Sequence, residues 1–241
     1  METTIEKNIG DLVAKDYRAA QVFKNHNIDF CCNGERPLSQ VCLEHELDVQ
    51  QLLNELEEAT KEAGNDNTNY ENWPLDLLAD YIQKTHHKYV TRQSEILLPY
   101  LEKICQVHGE EHPELLEINT LFNQTAAAMA THMKEEESIL FPFIKQLVNS
   151  EEEGNVLIPP SFKTVENPVA MMKDDHDAEG ERFREIVRLS GNYTPPSDAC
   201  NTYKVTFGLL QEFENDLHKH IHLENNILFP KAIKLEKVLL N

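Results

Sequence analysis

HMKEEESILFP (residues 132–142) returns with small changes as HIHLENNILFP (residues 220–230). Each copy carries His-x-x-x-Glu followed by Ile-Leu-Phe-Pro. In an α-helix, residues four apart differ by about 40° around the axis, so the His and Glu of each copy share a face. A single His-x-x-x-Glu reads as a surface pair. The common Ile-Leu-Phe-Pro argues otherwise, because it places both motifs on helices with the same packing environment.

Working outward, each copy has a histidine one helix earlier. His87 precedes His132 by 45 residues (132 − 87), and His176 precedes His220 by 44 (220 − 176). The chain therefore reads as two helical hairpins, each with a His on its first helix and a His-x-x-x-Glu on its second. Four helical segments are expected, at about 74–107, 112–148, 164–190 and 200–236, joined by loop-like stretches such as GNYTPPSD. Four long helices connected in this way describe a four-helix bundle, and the fold class is all-α. Val, Ile and Thr do not fall in the alternating runs that strands require.

Pairing the hairpins brings together His87, His132, Glu136, His176, His220 and Glu224. Six buried titratable groups without a partner are prohibitively costly to desolvate, and a metal centre removes that objection. Six donors exceed the four-coordinate zinc that Cys and His usually build. Two six-coordinate ions need about twelve positions: four histidines, two bridging glutamates and an oxo or hydroxo bridge fill all but two. Imidazole and carboxylate donors in a helical bundle suit iron, with manganese second. The expectation is a non-haem di-iron centre with two positions open to a small molecule.

Other histidines compete. His218 and His222 sit about 200° around the helix from His220 and are read as outward-facing. The apolar stripe Leu78, Ile82, Tyr89 and Ile96 falls nearer His86 than His87, but the repeat spacing selects His87. His108 and His112 are read as solvated loop residues. Glu135, Glu137 and Asp175 either orient the histidines or are merely solvated.

Upstream, residues 1–63 read as a small helical domain, separated from the bundle domain (73–241) by the polar stretch GNDNTNYEN (64–72). Its expected elements are a helix over 9–25, a second opened by Pro37, and a third N-capped by Asp48, with Gln51 completing a capping-box pattern. About 60 residues is marginal for independent stability, so this block is expected to lean on the bundle or a partner. It contains NIDFCCNGERPLSQVC. Adjacent cysteines have Cα atoms about 3.8 Å apart, too close for an unstrained disulfide. The following Gly and Pro suggest a turn presenting Cys31 and Cys32 near a helix N-terminus, where thiolate is favoured. A redox or metal-transfer role and a pair of half-buried turn residues both remain open. Cys42, Cys105 and Cys200 are read as packing residues.

The net charge of −20 argues against nucleic acid and anionic membrane surfaces as partners. No apolar run approaches the roughly 20 residues needed to span a bilayer, and the N-terminus lacks the order of a signal peptide. An odd number of cysteines, two of them adjacent, points to a reducing cytoplasm.

Together IDFCCNG, HMKEEESILFP, DDHDAEGE and TPPSDACNTY…HIHLENNILFP resemble the RIC family (repair of iron centres, also called the ScdA family), di-iron proteins with a haemerythrin-like domain behind a short cysteine-bearing one. The resemblance covers nearly the whole chain. It implies the same six ligands and favours the second histidine of THHKY, while the loop at about 149–164 looks longer than is usual for the family. It also implies repair of iron–sulfur clusters damaged by nitric oxide or peroxide, with the damaged iron–sulfur proteins as partners. Repair would proceed by iron donation or, alternatively, the protein would be an enzyme reducing nitric oxide to nitrous oxide with Cys31 and Cys32 relaying electrons. Reversible dioxygen binding is disfavoured by a set of four His and two Glu and by the fused cysteine domain. Monomer and homodimer both remain open.

Overall fold

The structure, a computed structural model, describes residues 5–61 and 68–240. The core of the expected linker (64–67) lies outside them. Among the described residues there is no strand and no helix long and apolar enough to cross a membrane.

Four long helices build the bundle. The first runs through α5 (Leu75–Tyr81), a π turn (Ile82–His87) and α6 (Lys88–His108). The second runs through α7 (Glu114–Glu135), a π turn (Glu136–Leu140) and α8 (Phe141–Glu153). The third is α9 (Glu166–Leu189), and the fourth comprises α10 (Asn201–Leu223), a π turn (Glu224–Leu228) and α11 (Phe229–Leu239). α6 packs on α7 and α10, and α7 packs on α9.

The π turns give Ile-Leu-Phe-Pro a second meaning. A proline inside a helix removes one backbone hydrogen bond and its ring crowds the carbonyl four residues earlier. Pro142 and Pro230 each stand just beyond a π turn, where the helix has widened to relieve that crowding. Leu140, Phe141, Leu228 and Phe229 are buried as packing requires. The two isoleucines differ: Ile227 is buried but Ile139 is exposed. A π turn also explains why the stripe through Leu78 and Ile82 pointed to His86. One extra residue per turn rotates everything beyond it by about 100°, so a 3.6-residue period cannot be carried through Ile82–His87. Ile96, assigned to that stripe, lies at the surface.

The N-terminal block is helical: α1 (Ile9–Lys15), α2 (Ala19–Asn25), α3 (Leu38–Glu44) and α4 (Val49–Lys61). The single helix expected over 9–25 is broken at Asp16. Its carboxylate accepts from the Arg18 backbone N–H at 3.1 Å and from the guanidinium, the side-chain-to-backbone turn that short acidic residues favour. Asp48 caps α4 as expected, accepting from Gln51 N at 2.8 Å, but the box is not closed: Gln51 Nε2 donates to Glu55 instead.

The block does lean on the bundle. Leu12, Phe23, Phe30, Leu38 and Leu56 belong to one buried apolar cluster with Val90, Met129, Phe183, Phe213 and Ile221. A second cluster fills the other end around Leu78, Phe141, Leu147, Met172 and Phe229. The polar residues singled out by the repeat lie in the layer between the two.

Candidate metal centre

Each hairpin brings its three residues inward. His87 ends the first π turn, while Glu136 and Glu224 open the second and third. His132, His176 and His220 project from regular α-helix. All six are at most 2% exposed. They form two groups, His87, Glu136, His220 and Glu224 on one side and His132, Glu136, His176 and Glu224 on the other. In each group, one ligand atom per residue lies within 4.8 Å of every other. The two glutamates belong to both groups.

Glu136 Oε2 lies 3.3 Å from His87 Nε2 and 3.4 Å from His132 Nε2. Glu224 Oε1 is 3.0 Å from His220 Nε2, and its Oε2 is 3.2 Å from His176 Nε2. Each carboxylate thus faces one histidine of each group. Three outer contacts set the imidazole tautomers. His87 Nδ1 lies 2.8 Å from Glu137 Oε1, His132 Nδ1 3.2 Å from Asp175 Oδ2, and His176 Nδ1 3.0 Å from Asn225 Oδ1. Carboxylate and amide oxygens only accept, so each Nδ1 donates and each Nε2 lone pair is left pointing at the centre. Glu137 and Asp175 therefore orient histidines. No bond to one of the four connects Glu135.

Such an arrangement fits a cation. The Nε2 atoms of His132 and His176 approach to 3.1 Å, and two lone pairs at that distance repel unless a positive charge lies between them. Both Glu136 oxygens, Glu224 Oε2 and His87 Nε2 are buried without a hydrogen-bond partner, which is costly unless something else satisfies them. With protons as the only cations, the carboxylates are driven apart. Burial and the charge on Glu224 raise the Glu136 carboxyl. Burial would also raise Glu224, but His220, His176 and His87 outweigh it and hold it well below the usual range. Burial opposes charge on His87 too, yet the neighbouring Glu136 and Glu224 carboxylates push it up to about 10. Divalent ions between the groups would take over these charges.

Residues 78–232 match the Hemerythrin HHE cation binding domain, and residues 5–60 match ScdA_N, a domain of unknown function (DUF542). This chain belongs to the ScdA and YtfE family of iron–sulfur cluster repair proteins. The iron–sulfur cluster repair protein ScdA of Staphylococcus epidermidis is 31% identical over 230 residues, covering 95% of this chain and 99% of the relative. YtfE of Musicola paradisiaca is 32% identical over 238 residues, covering 96% and 98%, and YtfE of Yersinia pestis 31% over 230 residues, covering 95% and 98%. The matched domain binds cations, and the histidine–glutamate groups here are spaced to hold them.

Around this candidate centre, several residues stand differently from the sequence reading. His222 does face away from the six, but it is buried rather than solvated: its ring packs 5.9 Å from both Tyr17 and Phe30 of the N-terminal block. His218 is half-buried against Phe30. A periodicity argument on one helix cannot see a second domain covering its outer face. His86 is buried as well, bonded to Asp216 at 3.0 Å and stacked on His220. His108 closes α6 and packs on Tyr203, while His112 is bonded to Asp198 and Glu114, so neither is a free loop residue. Cys200 is exposed, not packed, and backbone N–H of Tyr203 together with His108 draws its thiol down. Cys42 is buried as expected, and Cys105 is partly so, its thiol donating to Leu115 O.

The cysteine pair is corrected in its electrostatics. Both thiols are free, with Sγ atoms 3.9 Å apart. The amides of Cys31 and Cys32 are taken by Asp29 Oδ1 at 3.2 and 3.0 Å and do not serve the thiols. The adjacent Cys32, burial and Asp29 push the Cys31 thiol well up. The turn rests against one of the six inward histidines, with Cys32 Sγ 3.6 Å from the His176 carbonyl.

The sequence reading missed Asn225 and Asn226. The π turn places Glu224 inward while Asn225 reaches His176, and both asparagines donate to the Cys31 carbonyl. Gly10 and Gly34 let the block approach this turn: a Cβ at Gly34 would stand 2.6 Å from Phe30 O and press on Asn226. A signal was available in the repeat, since Glu137 and Asn225 both follow the repeated glutamate.

Proposed function

We propose that this chain is a cytoplasmic repair protein that holds two non-haem iron ions on His87, His132, Glu136, His176, His220 and Glu224 and donates iron to damaged iron–sulfur clusters. The observation that carries this reading is the pair of four-residue groups sharing Glu136 and Glu224. Its relatives are named for cluster repair. Nitrogen and oxygen donors without thiolate bind ferrous iron weakly enough for release, because ferrous iron stands low in the Irving–Williams order. The ions are thus both site and cargo. Iron analysis of purified protein is expected to find about two per chain. Anaerobic incubation of loaded protein with an apo iron–sulfur enzyme is expected to restore that enzyme's activity, and no recovery refutes donation.

Reduction of nitric oxide is the second reading, and one observation favours it. The Cys31–Cys32 dithiol lies against His176, where oxidation to a strained disulfide would release two electrons and two protons. Those suffice to turn two nitric oxide molecules into nitrous oxide and water. Ferrous ions, when bound, supply electrons and a place for the diatomic. The six side chains are buried away from water, and Glu137, Asp175 and Asn225 fix three of the imidazoles. With a dithiol reductant added to restore the cysteine pair, multiple turnovers to nitrous oxide under anaerobic conditions support this reading, and the absence of nitrous oxide removes it.

A further inference from the structure

The residue after the repeated glutamate does the same work in both hairpins with different chemistry. Glu137 Oε1 holds Nδ1 of His87 at 2.8 Å, and Asn225 Oδ1 holds Nδ1 of His176 at 3.0 Å. A carboxylate ends there, having no donor. The amide has two N–H groups left, and Asn225 gives one to the Cys31 carbonyl at 3.3 Å. Asn226, beside it, donates to the Phe30 and Cys31 carbonyls at 3.2 Å each but has no bond to any of the six inward residues. Asn225 is 6% exposed, so water competes poorly for either bond. On its other side, His176 offers its own carbonyl to Cys32 Sγ. One histidine is therefore gripped at the ring by a residue anchored to the thiol turn, and at the backbone by the turn itself.

We propose that Asn225 is a positioning residue that links the seating of the Cys31–Cys32 turn to the set of His176, so that metal occupancy and protection of the two thiols reinforce one another. This rests on the reading of His176 as a metal ligand. When the turn is seated, the Cys31 carbonyl fixes the Asn225 amide, which fixes His176 with Nδ1–H outward and the Nε2 lone pair inward. A metal on Nε2 holds the ring in turn, which holds the amide under Cys31. Such coupling is reciprocal. Glu137 cannot do this for His87, so the hairpin beside the cysteines alone carries the link.

The test uses the full-length protein, metal-free and loaded anaerobically with ferrous iron. Iodoacetamide alkylation of Cys31 and Cys32 is followed by peptide mass spectrometry, with metal content measured in parallel and Cys200 as internal reference. Loading is expected to slow alkylation of the pair by at least ~5-fold. Asn225→Asp keeps an oxygen for His176 but loses the donor to Cys31; by the same reciprocity it is expected to bind metal more weakly, and at ferrous iron high enough to load it fully, loading no longer protects the thiols. Asn226→Ala loosens the turn in both states and leaves the ratio between them unchanged. Equal alkylation rates in loaded and metal-free wild type, or undiminished protection in Asn225→Asp, overturn the proposal. The wild-type comparison decides even where the Asn225→Asp chain does not fold. Wild type that takes up no metal overturns the ligand reading and this proposal with it, whereas bound metal without protection overturns the proposal alone.

Discussion

Replacing Glu136 by glutamine is expected to move stability in opposite directions with and without metal. In the metal-free protein, both Glu136 oxygens are buried without a hydrogen-bond partner and feel the like charge of the Glu224 carboxylate. Leaving such a group unsatisfied costs about 1–3 kcal/mol, and the neutral amide avoids part of it, so metal-free Glu136→Gln should melt higher than metal-free wild type. With metal the sign reverses. Glu136 belongs to both four-residue groups, so its loss weakens two sites at once, each by at least ~10–100-fold, the cost seen even for outer partners of metal ligands. Wild type loaded at 100 times the dissociation constant gains about 2.7 kcal/mol per site; a 100-fold weaker site at the same concentration keeps only a few tenths. His87→Gln, by contrast, touches one group and should retain about one metal per chain. Differential scanning fluorimetry with and without ferrous iron or manganese, paired with metal analysis, reads both effects. A metal-free Glu136→Gln protein less stable than wild type, or one whose melting temperature still rises fully with metal, refutes the shared-carboxylate reasoning.

Three further outcomes follow from the same geometry. Gly34→Ala places a Cβ 2.6 Å from the Phe30 carbonyl, an overpacking worth about 1–3 kcal/mol; limited proteolysis should cut the N-terminal block faster while the bundle stays intact. Burial pushes His222 down to about 3, against about 6.5 in the unfolded chain. The unfolded chain therefore binds more protons between these values, and stability is lost as pH falls from 6.5 toward 3. Replacing His222 with glutamine should remove up to ~1 proton from the slope of unfolding free energy against pH in that window, as measured by urea titration at several pH values. Cys200, exposed and with its thiol drawn down by the Tyr203 N–H and His108, should be alkylated more than ~10-fold faster at neutral pH than Cys42, which burial pushes up; equal rates would contradict the assignment.

The duplicated HMKEEESILFP and HIHLENNILFP, with His87 and His176 one helix upstream, were enough to specify a bundle of two hairpins and to name the six residues that converge in its centre. That information is local and periodic: identity at i and i+4 on a helix fixes a face, and repetition fixes which faces meet. Tertiary structure decided what periodicity cannot carry. The π turns, placed before Pro142 and Pro230 and around His87, shift the helical phase by a residue, which is why one stripe through Ile82 could not tell His86 from His87, both of them buried. The N-terminal block covers the outer face of α10, which buries His222 and brings the Cys31–Cys32 turn against His176. The upward push on the Cys31 thiol likewise comes from packing, from the adjacent Cys32, burial and the Asp29 carboxylate that takes the amides. Asn225 shows the division most directly. Its place after the repeated glutamate is written in the sequence, but its reach to a carbonyl 194 residues away exists only once two segments distant in the chain are packed together.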